Sequence, residues 1–318
     1  MLNQPISPSP GNPVLVIGAC GVDIVGRLKG ELRSESSTPA EIRSTFGGVA
    51  RNVAENLARL GQPVNIISAV GEDESGDRLL TNLLSTGVNI DAVLRTNEQP
   101  TGTYLAVVNQ FGALQFAIDD MRTTNTLTAQ YIREQARLFD DASLVFVDSN
   151  LPKETLRAAI SMARHRHLPI CADPTSTLLA ERLKPYLRHL YLITPNNSEA
   201  AIYCHPQSTI ATRRQALEAA KHLVSHGVAI VIITLGEHGL CYATSEISGY
   251  IPTIHTEIID PTGAGDALSA TVIFALLNDI PLDDAVRLGA SAASLTLHYR
   301  GAVVPDLSLE KLYDQLVI

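Results

Sequence analysis

The chain alternates between two hydrophobic patterns, and the alternation predicts a fold. Val14–Ala19 (VLVIGA) is a continuous apolar run that ends in glycine-rich chain. A short run with no polar face reads as a strand buried on both sides. Similar runs predict strands at Val64–Val70, Ser143–Val147, Pro169–Ala172, Leu190–Thr194 and Ala229–Thr234. Between them the spacing becomes helical. Val49, Val53, Leu57 and Leu60 fall on one side of a helix over Gly48–Leu60, which Gly61 stops. The same period predicts helices over Glu74–Ser85, Lys153–His165, Arg213–Ser225, Gly263–Leu277 and Leu282–Leu297. Strands alternating with helices predict an α/β fold whose mostly parallel central sheet has helices on both faces.

Two segments break this rhythm. Ile24–Phe46 has no helical period, and Thr101–Ile118 reads as a hairpin with turn signals at Asn109–Gly112. Together, insertions at about 24–46 and 101–118 predict a small β-lid over one end of the sheet. An antiparallel extension of the sheet edge is the other reading. A lid with one face toward a ligand leaves a second face to bury, which predicts a homodimer through the lid. Residues 1–12, polar and proline-rich, predict a disordered tail ahead of one domain over 13–318.

Charge and composition narrow the function. Net charge is −9 over 318 residues, with no long Lys/Arg run. Neither nucleic acid nor a membrane surface suits such a chain, since both need clustered positive charge. No apolar run reaches the ~18 residues of a membrane span. The N-terminus has no basic and apolar leader pattern, so a cytoplasmic location is expected. Cys20, Cys171, Cys204 and Cys241 form no CxxC pair and read as reduced, structural thiols. The P-loop, dinucleotide and HExxH patterns are all missing from the sequence.

Chemistry concentrates in Asp260-Pro261-Thr262-Gly263-Ala264-Gly265-Asp266, just before a helical run. Small residues at a helix N-terminus leave backbone N–H groups open to an anion. A carboxylate in the first turn could accept a proton from an incoming hydroxyl. An acid-capped glycine turn has the same spacing. Gly47-Gly48 opens an earlier helix and displays Asn52 one turn in, although paired glycines are also a common turn. Asp23 follows the first strand, where α/β folds bind ligands, and could grip a ribose diol or simply be solvated. Thr194–Glu199 and Thr234–Gly239 also follow strands, and plain turns would look alike.

Together these residues resemble the ribokinase-like (PfkB) carbohydrate kinase family, from about residue 14 to about residue 316. The GG…N element and the D-x-T-G-A-G-D element are the family's two signatures, in the expected order. The resemblance implies a three-layer fold with a β-lid and ATP-dependent phosphorylation of a nucleoside or sugar hydroxyl. It implies Asp266 as catalytic base, with Gly263, Ala264 and Gly265 as anion hole. Asp23, Gly48 and Asn52 would bind the sugar. Thr234, Gly236 and Gly239 would line the ATP site beside Asn196. Glu199 would organise Mg through water, and Asp260 with Thr262 would hold a monovalent cation, potassium.

Within the family, Phe46–Leu60, Ser68–Gly76 and Ala117–Met121 are most similar to the branch acting on pseudouridine. Asp119 or Asp120 could then accept the extra N–H of that base, with Asp120 as the substrate-binding choice. A kinase for adenosine, ribose or a sugar acid, or a non-catalytic nucleoside sensor, stays open. Gly21 stands where many relatives carry Asn, and Arg300-Gly301-Ala302 matches the family's cation loop only in part.

Overall fold

In the computed structural model, which describes residues 11–33, 35–204 and 209–316, strands and helices segregate into three layers and a lid. The expected tail at 1–12 lies outside the described residues except for Gly11 and Asn12. The main sheet contains β1 (Val14–Ile17), β4 (Val64–Gly71), β5 (Asn89–Thr96), β8 (Leu144–Asp148), β9 (Ile170–Asp173), β10 (Leu192–Ile193), β11 (Ile230–Thr234), β12 (Leu240–Ala243) and β13 (Ser248–Ile251). Their spatial order is β13-β12-β11-β10-β9-β8-β1-β4-β5. Pairing is parallel from β5 to β11 and antiparallel only at β11–β12 and β12–β13.

Strand alternation divides the core in two. Val14, Val16, Ile66 and Val70 face one cluster, with helices Val49–Arg59, Glu74–Ser85, Ala264–Leu277 and Leu282–Leu297. Leu15, Ile17, Ile67 and Ala69 face the other, with Lys153–His165 and Arg213–Ser225. Successive side chains of a strand point to opposite faces, so a fully apolar strand feeds both cores. Helix Ala264–Leu277 is buried nearly all round. A Cβ on Gly289 would come within 2.8 Å of Val272, so that glycine lets Leu282–Leu297 lie close against it.

The irregular segments form a separate sheet, not an edge extension. It has four strands in the order β3-β2-β6-β7, namely β2 (Gly21–Leu28), β3 (Ala40–Gly47), β6 (Gly102–Val108) and β7 (Leu114–Asp120). Asn109 receives its turn bond from Gly112 at 3.0 Å, as the turn signal predicts. Among the described residues no helix is long and apolar enough to cross a membrane. Cys20, Cys171 and Cys241 are buried, and all four cysteines are free.

Candidate active site

Neighbouring strands of the parallel sheet end on one edge, and each delivers a polar residue there. β1 runs into β2 and Asp23, β8 ends on Asp148, β9 on Asp173 and β11 on Thr234, while β10 leads to Asn196. The carboxyl edge of a parallel sheet is the usual ligand face of such folds.

Asp266 lies on the first turn of Ala264–Leu277 and is 9% exposed. Its Oδ2 accepts a 2.7 Å hydrogen bond from Nδ2 of Asn52, on the first turn of Val49–Arg59. Burial pushes the Asp266 carboxyl up to about 7, and nearby Asp23 and Asp148 add to the rise against Asn52 and Arg51. Asp23 is buried in β2 and is pushed up to about 6, mainly by burial. Gly47, its neighbour across the lid strands, leaves room for it, since a Cβ there would lie 2.2 Å from the Asp23 carboxylate. Gly48 has φ 93, and its backbone approaches Ala19 so closely that a Cβ would clash at 2.4 Å.

The helix beside Asp266 is open at its end. Gly263 takes the left-handed φ of 80, and a Cβ there would meet the carbonyl of Ala302 at 2.2 Å. Among the described residues no side chain caps this helix, and the space outside Gly265 is open. The first N–H groups, around Gly263, Ala264 and Gly265, are therefore free to meet an anion. Asp260 shapes the approach, its Oδ1 accepting from Thr262 N at 2.9 Å.

Toward the other end of the edge, Asn196 and Glu199 form a reciprocal capping box on helix Asn197–Tyr203, both bonds 2.9 Å. The N-x-x-E spacing is thus first a helix cap. Glu199 is buried, and burial raises its carboxyl despite the Asn196 bonds. Asn196 bridges to Thr234, and a short turn carries Gly236 and Gly239. Gly239, at φ 78, passes so near Ile251 that a Cβ would lie 2.3 Å from its carbonyl. Among the described residues no three His, Cys, Asp or Glu side chains are grouped to hold a metal ion. A divalent cation here would depend on water and phosphate oxygens beside Glu199.

Asp120 is not brought to this cluster. Its register with Thr103 and Val22 puts it on the lid face opposite Asp23. Arg122 holds it in an exposed bidentate pair at 2.7 and 2.8 Å, lowering its carboxyl to about 2. Asp119 instead shares the face of Asp23, in one row through Tyr104.

Three site residues escaped the sequence reading. Asp148 is wholly buried and accepts from Ala19 N at 2.8 Å and Ala50 N at 3.1 Å, tying the end of β1 to the glycine loop. Asp173 is raised well above the usual carboxylate range by burial and by nearby Asp266 and Glu199. Arg51 is the third. The strand-end argument that picked Asp23 applies equally to Asp148 and Asp173, each the last residue of an apolar strand.

An uncapped helix N-terminus beside a buried carboxylate, on the ligand edge of this three-layer fold, suits the transfer of an anionic group to a small hydroxyl substrate. Residues 12–308 match the pfkB family carbohydrate kinases, and the chain belongs to that family. Over 297 residues it is 30% identical to the pseudouridine kinase of Escherichia coli, covering 93% of this chain and 94% of that one. It is 29% identical over 299 residues to the guanosine-inosine kinase of Exiguobacterium acetylicum, covering 93% and 98%. An Escherichia coli protein assigned as a ribokinase II, solved with ATP and Mg2+, shares the fold, with TM-score 0.83, 20% identity and coverage of 96% and 99%.

Proposed function

We propose that the protein transfers the γ-phosphoryl group of ATP to the 5′-hydroxyl of pseudouridine. The observation that carries the chemistry is the 2.7 Å contact between Asn52 and Asp266 at the mouth of an uncapped helix. Asp23 and Asn52 hold the ribose hydroxyls, with Gly48 letting the backbone approach. Asp266 accepts the 5′-hydroxyl proton as that oxygen attacks the γ-phosphorus. The bond from phosphorus to the β–γ bridging oxygen breaks, and ADP leaves. A base with proton affinity near neutrality suits that task. The amides of Gly263–Gly265 stabilise the charge on the transferring group.

Asn196, Thr234, Gly236 and Gly239 form the ATP side, where the capping box fixes the buried Glu199 beside Asn196. Magnesium beside Glu199 would supply neutralisation of phosphate charge. Potassium would sit against Asp260 and Thr262, on the turn that leads into the anion hole. That the ribokinase II neighbour was solved with ATP and Mg2+ supports ATP and magnesium as ligands of this fold.

The acceptor assignment rests on the resemblance at Phe46–Leu60 and Ala117–Met121 and on the pseudouridine kinase relative. Asp119, in the row of Asp23 and Tyr104, takes the base-reading place first offered to Asp120. The lid's outer face supports a homodimer. Ile24, Ile42, Leu105, Val107, Phe116 and Ile118 share it, with Ile42 72% and Ile118 62% exposed. ADP release with Mg-ATP across pseudouridine, uridine, guanosine, inosine, adenosine and ribose tests the reading. Highest kcat/KM for pseudouridine supports it, and preference for a purine nucleoside or ribose overturns the acceptor.

A further inference from the structure

The family resemblance gives Arg51 no role, yet this residue is buried at the centre of the site, 4% exposed. Its guanidinium has four partners on three elements. Nη1 donates to Oδ1 of Asn52 at 2.9 Å and to the carbonyl of Phe46 at 3.1 Å. Nη2 donates to Oδ1 of Asn82 at 2.7 Å and to Glu55. Glu55 in turn accepts from Nε of Arg59 at 2.9 Å. Phe46 precedes Gly47, the last residue of the lid strand β3, and Asn82 belongs to helix Glu74–Ser85. Among the described residues the Nε–H of Arg51 is buried without a partner. A buried donor left unpaired is destabilising, so packing stability alone is a poor reason to place an arginine here.

The geometry gives a better reason. The amide of Asn52 has a donor end and an acceptor end, while a guanidinium only donates. Arg51 can therefore meet only Oδ1, and Nδ2 is left pointing at Asp266. If the amide turned over, its oxygen would face a carboxylate. We propose that Arg51 is a positioning residue, which fixes the end of the Asn52 amide that faces Asp266 and ties that pair to the root of the lid through the Phe46 carbonyl. This rests on the reading of Asp266 as base and Asn52 as sugar ligand. The charged groups around Asp266 are Asp23 from β2, Asp148 from β8 and Asp173 from β9, with Arg51 the cation among them. Losing either the Arg51 charge or the Asn52 donor removes an influence that holds the Asp266 proton affinity down.

The test reads the acid limb of kcat/KM against pH. Arg51→Met should move that limb upward by about one pH unit, cutting kcat/KM about tenfold on the acid side. Arg51→Lys should restore most of the shift. Asn82→Ala removes one anchor of the guanidinium from a partly exposed position on another helix, and should move the limb in the same direction by less. Arg59→Ala, at the outer end of the ladder, should leave it in place. A limb unmoved in Arg51→Met and Asn82→Ala, with only the melting temperature lowered, overturns the proposal. Should the Arg51 variants not fold, Asn82→Ala decides alone: a shift supports the role and no shift overturns it. Failure of the underlying reading looks different, because Asp266→Asn would then still turn over.

Discussion

Replacing Asp266 by asparagine should disable the protein and stabilise it at once, and the two effects have one origin. The new amide oxygen can still accept from Nδ2 of Asn52, so the local geometry is kept. Turnover should fall by ~10²–10⁴-fold, the usual cost of losing a general base. The stability effect follows from the buried carboxyl, whose proton affinity sits near 7 instead of the ordinary 3.8. That gap of about three pH units corresponds to about 4 kcal/mol, an upper value for one buried group. Because the folded-state pKa is raised, the wild type has its full stability from this group below pH ~4 and loses it as pH rises through about 7. The substituted protein never ionises there. Its advantage should be small at pH 4.5, grow toward pH 7 and stay level above. Thermal or urea unfolding at pH 4.5 and pH 8, beside ADP release at pH 8, measures both effects. Activity within a few-fold of wild type would refute the base assignment. A stability difference that is the same at both pH values would refute the electrostatic argument.

Other outcomes follow from the same geometry. Asp23→Ala should weaken nucleoside binding by about 1–3 kcal/mol per lost hydroxyl contact and leave ATP binding nearly unchanged, as calorimetry with each ligand would record. Equal losses would make Asp23 structural. Asp119→Ala should lower the ratio of pseudouridine to uridine kcat/KM, while Asp120→Ala, whose partner is Arg122, should leave it alone; the reverse result would place base reading on the other lid face. Ile118→Asp should convert a dimer to a monomer in sedimentation at micromolar concentration, and a wild-type monomer there would contradict the lid interface.

Much of the fold was legible because the parallel strands are buried on both faces. Val14–Ala19 and Val64–Val70 have no polar side to confuse the period, so they stand out as strands. β12 and β13 were missed because they are four residues each, antiparallel and at an edge. β2 begins at Gly21, three residues before the expected lid segment, because Gly21 and Val22 look like loop after a glycine-rich strand end. The lid strands were foreseen as a group, but not their face parity. That parity separates Asp119 from Asp120 and is set by pairing register, which no local pattern reveals. Arg51 was invisible for a related reason: a charged residue on an amphipathic helix reads as solvated until tertiary contacts bury it.

The most direct test of the central claim is the identity of the product formed from Mg-ATP and pseudouridine. Phosphorus NMR of the reaction mixture should reveal one new monoester coupled to the two 5′ protons of the ribose, growing in step with ADP, and absent when Asp266→Asn replaces the wild type. ADP that accumulates without that coupling, a phosphate on another hydroxyl, or the same product from the Asp266→Asn enzyme at comparable rate would contradict the account.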